Sequence, residues 1–256
     1  MPKLSAIEAF ADNYIWTLAG DAGRAIVVDP GDAVPVFAAI DAGLRPVAIL
    51  LTHHHPDHIG GAEQLLQRFE VPCIAPVDPR IGCATRRVAE GDVFDVPEIG
   101  MRFSTLEVHG HTSSHVAFHG EGIVFCGDTL FSLGCGRLFE GTPAQMVASL
   151  DKLAALPGDT LVCCGHEYTL SNGAFASVVD PDNVALRDRI AQARAARDRD
   201  APSLPSTIAS ELACNPFLRV DTEAVRAAVD LHEGAPCDGR VETFAAMRRW
   251  KDGFRA

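Results

Sequence analysis

The segment THHHPDHIGG (residues 52–61) holds four of the ten histidines in this 256-residue chain. Four of its residues form the pattern HxHxDH, namely His53, His55, Asp57 and His58. Neutral imidazole and ionised carboxylate are ligands that suit zinc, iron and manganese. Because Pro56 interrupts the stretch, the sequence predicts an extended turn and not a helix, with side chains pointing in different directions. The pattern therefore predicts ligands for two adjacent metal ions and not one closed site.

Short apolar runs before residue 170 predict buried strands. These runs are AIVV (25–28), VAILL (47–51), IVFC (123–126) and TLVCC (160–164). Helical stretches over residues 60–69 and 143–156 lie between some of them. Strands alternating with helices predict an α/β domain whose strands are well covered.

Polar clusters follow three of these strands directly. VAILL runs into THHHPDH, IVFC into GDT, and TLVCC into GHEYT. Loops at strand ends are where a rigid sheet positions functional groups, so we expect one shared site. The HxHxDH pattern cannot fill two coordination spheres by itself. The candidates for the remaining ligands are His109, His111, His115, His119, Asp128 and His166.

The sequence changes in character after about residue 170. Residues 183–200, 222–232 and 241–252 have helical patterns, and prolines break the chain between them. We therefore predict an α/β domain over residues 1–170 and a small, mostly helical domain over residues 171–256.

Composition excludes several classes of function. A formal net charge of −12 disfavours nucleic-acid binding, and no apolar run approaches the length of a membrane span. Glu8 and Asp12 interrupt the apolar part of the opening segment, so we expect no signal peptide and a cytoplasmic protein. The eight cysteines include no CxxC spacing, which predicts reduced, mostly buried thiols.

Eight segments together resemble the glyoxalase II (hydroxyacylglutathione hydrolase) branch of the metallo-β-lactamase superfamily. They are DNYIW (12–16), THHHPDHIGG (52–61), GHTSSH (110–115), GDTLFSLGCGRLFEGTP (127–143), GHEYTLSN (165–172), DPDN (180–183), NPFLR (215–219) and RRWKD (248–252). The HxHxDH pattern is typical of the whole superfamily, whereas the full set is typical of this branch. The resemblance implies an α/β (α+β) fold, an αββα sandwich with a small C-terminal helical domain that binds glutathione.

The resemblance also implies a role for particular residues. One metal ion would be held by His53, His55 and His111. The other would be held by Asp57, His58 and His166. Asp128 would bridge the two, and Asp57 and Asp128 are the expected catalytic residues. His54 is expected to face away from the metals, while His109 and His115 are expected either to contact a ligand or to be ordinary loop histidines, and His119 is not expected to bind metal.

The glutathione contacts implied by the resemblance are Arg137, Phe139, Tyr168, Arg248 and Lys251. Some members carry Tyr where this chain has Phe139, so a hydroxyl contact would be lost there. Arg248 and Lys251 lie in RRWKDGFRA (248–256), the strongly basic end of an acidic chain. Their i, i+3 spacing predicts that they share a helix face.

The function that follows from the resemblance is thioester hydrolysis. The expected reaction converts S-D-lactoylglutathione and water to glutathione and D-lactate, the second step of methylglyoxal detoxification. The expected cofactors are two divalent metal ions, zinc with iron or manganese as alternatives, in a monomeric protein. Alternatives are a persulfide dioxygenase with one iron, a metal-dependent nuclease or β-lactamase, and a non-catalytic metal-binding protein.

Overall fold

The computed structural model describes residues 2–255 of the chain. These residues group into two compact units. The first unit extends to Glu107 and also includes residues 114–127, and the second consists of residues 108–113 and the chain from Asp128 onward. None of the helices within residues 2–255 has both the length and the apolar character that a membrane crossing requires. The predicted domains, residues 1–170 and 171–256, stay a prediction.

A six-stranded sheet forms the first half of the first unit. Its strands, in chain order and in sheet order, are β1 (Lys3–Ala9), β2 (Asn13–Ala19), β3 (Arg24–Val28), β4 (Arg45–Leu50), β5 (Cys73–Pro76) and β6 (Arg86–Val88). The strands from β1 to β3 pair antiparallel, and those from β3 to β6 pair parallel. The connecting helices are α1 (Ala33–Asp41), α2 (Pro56–Ile59) and α3 (Ala62–Arg68).

Strands β3 and β4 are the two central strands of this sheet, and apolar side chains on both of their faces are buried. Val27, Ile49 and Leu50 have no exposed surface, as expected for parallel strands covered on both sides. The predicted strands at residues 25–28 and 47–51 are confirmed within one or two residues at each end. The candidate ligands after residue 52 therefore begin at the carboxyl end of a rigid strand.

A second sheet in the first unit is an antiparallel meander. Its strands are β7 (Val93–Val96), β8 (Met101–Glu107), β9 (Val116–Gly120) and β10 (Ile123–Gly127). Phe94 contacts the rings of Phe103 and Phe118, with centroids 5.6 and 5.7 Å away. The Phe103 ring also lies 6.3 Å from that of Phe125 on β10, the predicted strand that leads into the GDT motif.

The second unit is mostly helical. Its helices are α4 (Pro143–Ala154), α5 (Thr169–Val179), α6 (Val184–Arg197), α7 (Ile208–Cys214), α8 (Glu223–Glu233) and α9 (Arg240–Gly253). Its strands are β11 (Leu130–Phe131), β12 (Gly134–Cys135), β13 (Leu161–Cys164) and β14 (Ser206–Thr207). Helices occur at all three places predicted beyond residue 170, so the helical character of that segment is confirmed.

Two buried polar side chains, those of Asn215 and Glu211, hold the tight β11–β12 hairpin. The side-chain amide of Asn215 donates to the carbonyls of Phe131 and Gly134, at 3.1 and 3.0 Å. The Leu133 amide donates to the carboxylate of Glu211 at 2.8 Å. Buried main-chain groups need such partners, so these side chains fix the segment that follows the GDT motif.

Gly31 lies directly against the loop that carries the HxHxDH pattern. Its amide donates to the Asp29 carbonyl at 2.8 Å, and a Cβ atom at this position would overlap the main-chain carbonyl of Asp57. Any side chain here would displace the main chain of the candidate ligand. Gly82, by contrast, has open space where a Cβ atom would stand.

We expect Gly31→Ala to lower the free energy of unfolding by about 1–3 kcal/mol, because backbone must move to admit the methyl group. Thermal unfolding measures this, at roughly 2–4 °C per kcal/mol in a chain of this size. Gly82→Ala is the matched control and should unfold at the wild-type temperature. Equal melting temperatures for both variants would contradict the close approach.

Candidate metal centre

The HxHxDH segment contains a short helix, so the predicted extended turn is wrong. Helix α2 begins at Pro56, and His55 is its N-cap in an extended conformation. Proline suits the first helical position, because its fixed φ matches the helix and the missing N–H has no helical partner there. Asp57 and His58 therefore project from a helical turn, whereas His53 lies in the preceding loop.

The histidines of this segment lie close together within the first unit. The ring centroid of His53 is 4.7 Å from that of His55 and 4.1 Å from that of His58. His53 and His58 are buried, and His55 is partly buried. Ligand atoms of Asp29, His53 and His58 all lie within 4.8 Å of one another. Such a cluster of nitrogen and oxygen donors fits a divalent metal ion.

Asp29 organises these histidines, and the sequence analysis missed it. Its carboxylate accepts hydrogen bonds from the amide and the hydroxyl of Thr52, both at 2.7 Å, and pairs with His58 Nδ1 at 3.0 Å. The Thr52 hydroxyl in turn lies 3.1 Å from His53 Nδ1. With both Nδ1 atoms engaged in this way, Nε2 is the nitrogen of each ring that could bind a metal ion. A signal was present, because Asp29 directly follows the AIVV strand.

Asp57, on helix α2, is oriented by Asn13 of strand β2. The side-chain amide of Asn13, the first residue of β2, donates to Asp57 Oδ2 at 3.0 Å. The same oxygen lies 3.6 Å from His58 Nε2. The Asn13 amide of the DNYIW motif therefore holds one carboxylate oxygen of Asp57 beside the His58 ring, and both of these residues are predicted ligands.

In the second unit, Asp128 lies between two predicted ligands. Its Oδ2 atom is 3.4 Å from His111 Nε2 and 3.3 Å from His166 Nε2. His111 Nδ1 bonds the Arg137 carbonyl at 2.9 Å, which selects the tautomer with the lone pair on Nε2. All three side chains are buried. This group brings together one carboxylate and two imidazoles, which are donors of the kind that divalent metal ions bind.

The remaining histidines have other surroundings. His54 Nδ1 lies 3.6 Å from Asp78, and the His109 carbonyl accepts a hydrogen bond from Ser149. His115 is buried, and its ring stacks on His53 with centroids 4.5 Å apart. His119 lies on β9, where burial lowers its pKa. The contact of His115 with a predicted ligand supports the second-layer position expected for it.

Two aromatic residues predicted to contact substrate lie beside the histidines of the second unit. The Tyr168 ring stacks on His166 with centroids 4.7 Å apart and an interplanar angle of 4°. The Phe139 ring meets His111 edge to face at 5.3 Å and is 63% exposed. Phe139 therefore offers an apolar surface beside the metal ligands without a hydrogen-bonding group.

Two of the three predicted cationic contacts, Arg137 and Arg248, pair with one carboxylate, Asp252. Its Oδ1 atom is 3.4 Å from Arg137 Nε and 2.9 Å from a terminal nitrogen of Arg248. Arg248 is buried, and it also donates to the Cys135 carbonyl at 2.9 Å. The Lys251 amine donates to the Ser171 carbonyl at 3.3 Å. Burial, helped by Arg248 and Arg137, lowers the pKa of Lys251 to about 8.

Family profiles match nearly the whole chain. The profile of the metallo-beta-lactamase superfamily matches residues 13–79 and 86–166. The profile of the hydroxyacylglutathione hydrolase C-terminus matches residues 167–254. The hydroxyacylglutathione hydrolase of Xanthomonas campestris pv. campestris is 56% identical over 256 residues, which cover 99% of this chain and 100% of that protein.

Solved structures show a similar fold. ETHE1 from Myxococcus xanthus aligns over 98% of both chains, with a TM-score of 0.64 and 22% identity, which shows the fold alone. TTHA1623 in a di-iron-bound form aligns over 64% of this chain and 91% of its own, with a TM-score of 0.52 and 29% identity.

The fold and the histidine–aspartate clusters define a metal-binding member of the metallo-β-lactamase superfamily. Within that superfamily, the chain belongs to the hydroxyacylglutathione hydrolase family. The predicted family and fold class and the prediction of an enzyme are thereby confirmed. The persulfide dioxygenase, nuclease, β-lactamase and non-catalytic alternatives are not supported by these full-length relatives.

We expect Asp29→Asn to weaken metal binding by about 10–100-fold, as is typical when a carboxylate that orients a ligating histidine is changed. The amide keeps the shape of the side chain but cannot accept all three hydrogen bonds. Competition with a chromophoric chelator measures the affinity. His54→Ala is the control and should keep the wild-type affinity, and an unchanged affinity in Asp29→Asn would show that Asp29 does not orient the ligands.

Proposed function

We propose that this protein hydrolyses the thioester of S-D-lactoylglutathione and releases D-lactate and glutathione. The class of reaction, hydrolysis of a hydroxyacylglutathione thioester, follows from its family. The observation that carries the proposal is the match of residues 167–254 to the hydroxyacylglutathione hydrolase C-terminus, because this segment holds Tyr168, Arg248 and Lys251. The reaction would be the second step of methylglyoxal detoxification.

The metal ligands form part of the same proposal. His53, His55 and His111 would hold one metal ion, Asp57, His58 and His166 would hold the other, and Asp128 would bridge them. The support is the donor chemistry found within each unit, together with the di-iron form of the similar TTHA1623. We propose zinc in both positions, with iron or manganese as alternatives, because such N/O sites accept all three.

The catalytic residues of the proposal are Asp57 and Asp128. When bound, two divalent metal ions lower the pKa of a water molecule and polarise the carbonyl of the substrate. Asp128 would balance part of the positive charge of the bound ions, and Asn13 fixes Asp57 by donating to its Oδ2 atom. Glutathione leaves readily as a thiolate because an ordinary thiol pKa is about 8.5. The chain therefore needs no strong general acid.

Glutathione would lie along the cationic and aromatic residues of the second unit. Arg137, with 58% of its side chain exposed, and the partly buried Lys251 are the cations available to a carboxylate. Arg248 would contribute its charge while holding the Cys135 carbonyl in place. Phe139 and Tyr168 would contact the apolar part of the substrate beside His111 and His166.

Cytoplasmic location and a monomeric state complete the proposal. All eight cysteines, which lie within the described residues, are thiols and not disulfides. This fits a reducing compartment. Metal analysis of the purified protein, performed alongside the loss of the thioester absorbance of S-D-lactoylglutathione, tests the proposed activity and cofactors together.

We expect Asp128→Ala to lose metal as well as activity, because the carboxylate would contact both ions. Metal content per chain, measured by elemental analysis, and thioester hydrolysis are the two readouts. His54→Ala should keep two metals and wild-type turnover. An Asp128→Ala protein that retains two metals but has no turnover would show that Asp128 acts only in catalysis.

We expect Lys251→Ala to raise KM for the glutathione thioester roughly tenfold, the effect of losing a charge-assisted contact of about 1.5 kcal/mol. Because Lys251 lies away from the reacting carbonyl, kcat should change little. Steady-state kinetics at varied substrate concentration separate the two constants. Arg248→Ala should raise KM too, but it also removes a hydrogen bond to Cys135.

The pH dependence sharpens this test. The pKa of Lys251 is lowered to about 8, so its charge is present below that pH and is lost above it. Wild-type KM should therefore rise above pH 8, and this rise should be absent in Lys251→Ala. Arg249→Ala is the control, because Arg249 is exposed and pairs with Glu233. A fall in kcat at constant KM would contradict a role of Lys251 in holding glutathione.

A further inference from the structure

Two cysteines of the first unit lie side by side, away from the predicted ligands in sequence. Cys73 begins β5 and has no exposed surface, whereas Cys83 is partly buried in the loop before β6. Thr85 holds the two segments together, because its amide donates to the Cys73 carbonyl and its hydroxyl accepts from the Cys73 amide, both at 2.9 Å. Cys83 packs against the apolar cluster that contains Cys73, and each thiol shifts the pKa of the other.

Cys83 also faces an open groove. The groove has a volume of about 670 Å³ and is lined by Leu66, Phe69, Val71 and Cys83, among others. Cys83 is therefore the cysteine of the pair that borders solvent, whereas Cys73 packs in the apolar core. One accessible thiol with a second thiol directly behind it is the arrangement of an attacking and a resolving cysteine.

The pKa values of the two thiols indicate which cysteine attacks and which one resolves. The hydrogen bond from Cys73 lowers the pKa of Cys83 to about 7, and the same hydrogen bond raises the pKa of Cys73. Cys83 is thus the thiolate of the pair near neutral pH, and thiolates are the reactive form. Of the other cysteines, burial raises the pKa of Cys163, and it also raises that of Cys237.

We propose that Cys83 and Cys73 form a peroxide-sensitive dithiol, which closes reversibly into an intramolecular disulfide. The Cys83 thiolate attacks one oxygen of hydrogen peroxide, the O–O bond breaks, and the departing hydroxide takes a proton to become water. Cys83 is now a sulfenic acid. The Cys73 thiol then loses its proton and attacks the Cys83 sulfur, so that an S–S bond forms and a second water leaves. Two thiols are oxidised, and one peroxide is reduced to two waters.

The local structure favours closure over further oxidation. Arg87 donates to the carbonyls of Pro76 and Asp78, and also to that of Ile81, so the connecting loop is held at three points. Because the resolving thiol is already in contact, it can trap the sulfenic acid before a second peroxide does. Disulfides of this kind in reducing compartments are transient and responsive to oxidants.

The test uses the reduced, zinc-loaded, full-length protein and hydrogen peroxide at a few equivalents per chain. After denaturation and alkylation, two of the eight cysteines should resist labelling, and a reductant should restore both. Trypsin cleaves after Arg68, Arg80 and Arg86, so the disulfide should link the peptides 69–80 and 81–86 in a mass spectrum. Labelling of Cys83 by iodoacetamide at pH 7 should be ~10-fold faster than that of Cys237.

Three variants complete the experiment. Cys83→Ser should abolish the linked peptides, and Cys73→Ser should leave a sulfenic acid on residue 83 that dimedone traps. Cys237→Ser is the matched control, because Cys237 is also partly buried, and it should form the disulfide like the wild type. Peroxide oxidation confined to Cys237, or irreversible oxidation of Cys83 with Cys73 still alkylated, would overturn the proposal.

Discussion

The carboxylate of Asp29 is the contact on which the first half of the metal centre depends. Asp29 directly follows β3, and its main-chain amide donates to the Leu50 carbonyl of β4, so this residue ties together the carboxyl ends of two parallel strands. Its two oxygens then receive the Thr52 amide and hydroxyl and the His58 ring. One buried charge thereby sets the path of the loop and the tautomers of two histidines. Asp29 adopts a φ of +50°, an uncommon conformation that persists because the surrounding hydrogen bonds over-determine it.

In the second unit, a main-chain carbonyl orients a predicted histidine ligand, as the Asp29 carboxylate does in the first unit. His111 is oriented by the Arg137 carbonyl, whose own position depends on the hairpin that Asn215 and Glu211 hold. Gly136 permits this approach, because a Cβ atom there would meet the Asp128 carbonyl and His111 Nδ1. The helical segment of the chain is thus a structural support for Asp128 and His111 as well as the proposed holder of glutathione.

Sequence patterns predicted what depends on local composition. Apolar runs identified β3 and β4, and the concentration of histidine identified the metal-binding loop. The patterns did not reveal that Pro56 begins a helix, since a proline breaks a helix or starts one according to the residues around it. A single Asp after a strand, such as Asp29, has no periodic signal, and its importance depends on contacts with residues more than twenty positions away. The i, i+3 spacing of Arg248 and Lys251 likewise predicts that they share a helix face, but it does not predict how deeply each side chain is buried. Only the fold shows that Arg248 is buried.

That difference in depth determines how an anion would be held. Asp252 and the Cys135 carbonyl already satisfy part of the Arg248 guanidinium. Lys251 lies partly buried among aromatic rings, beside Phe175 and Phe254, where its charge is costly to maintain. A carboxylate placed beside Lys251 would stabilise the charged amine and raise its pKa again, so substrate binding and proton uptake would be linked at this residue. Arg248 is held in place by its hydrogen bonds, whereas the charge of Lys251 depends on what is bound. The acidic balance of the rest of the chain makes these few cations the local source of attraction for an anionic substrate.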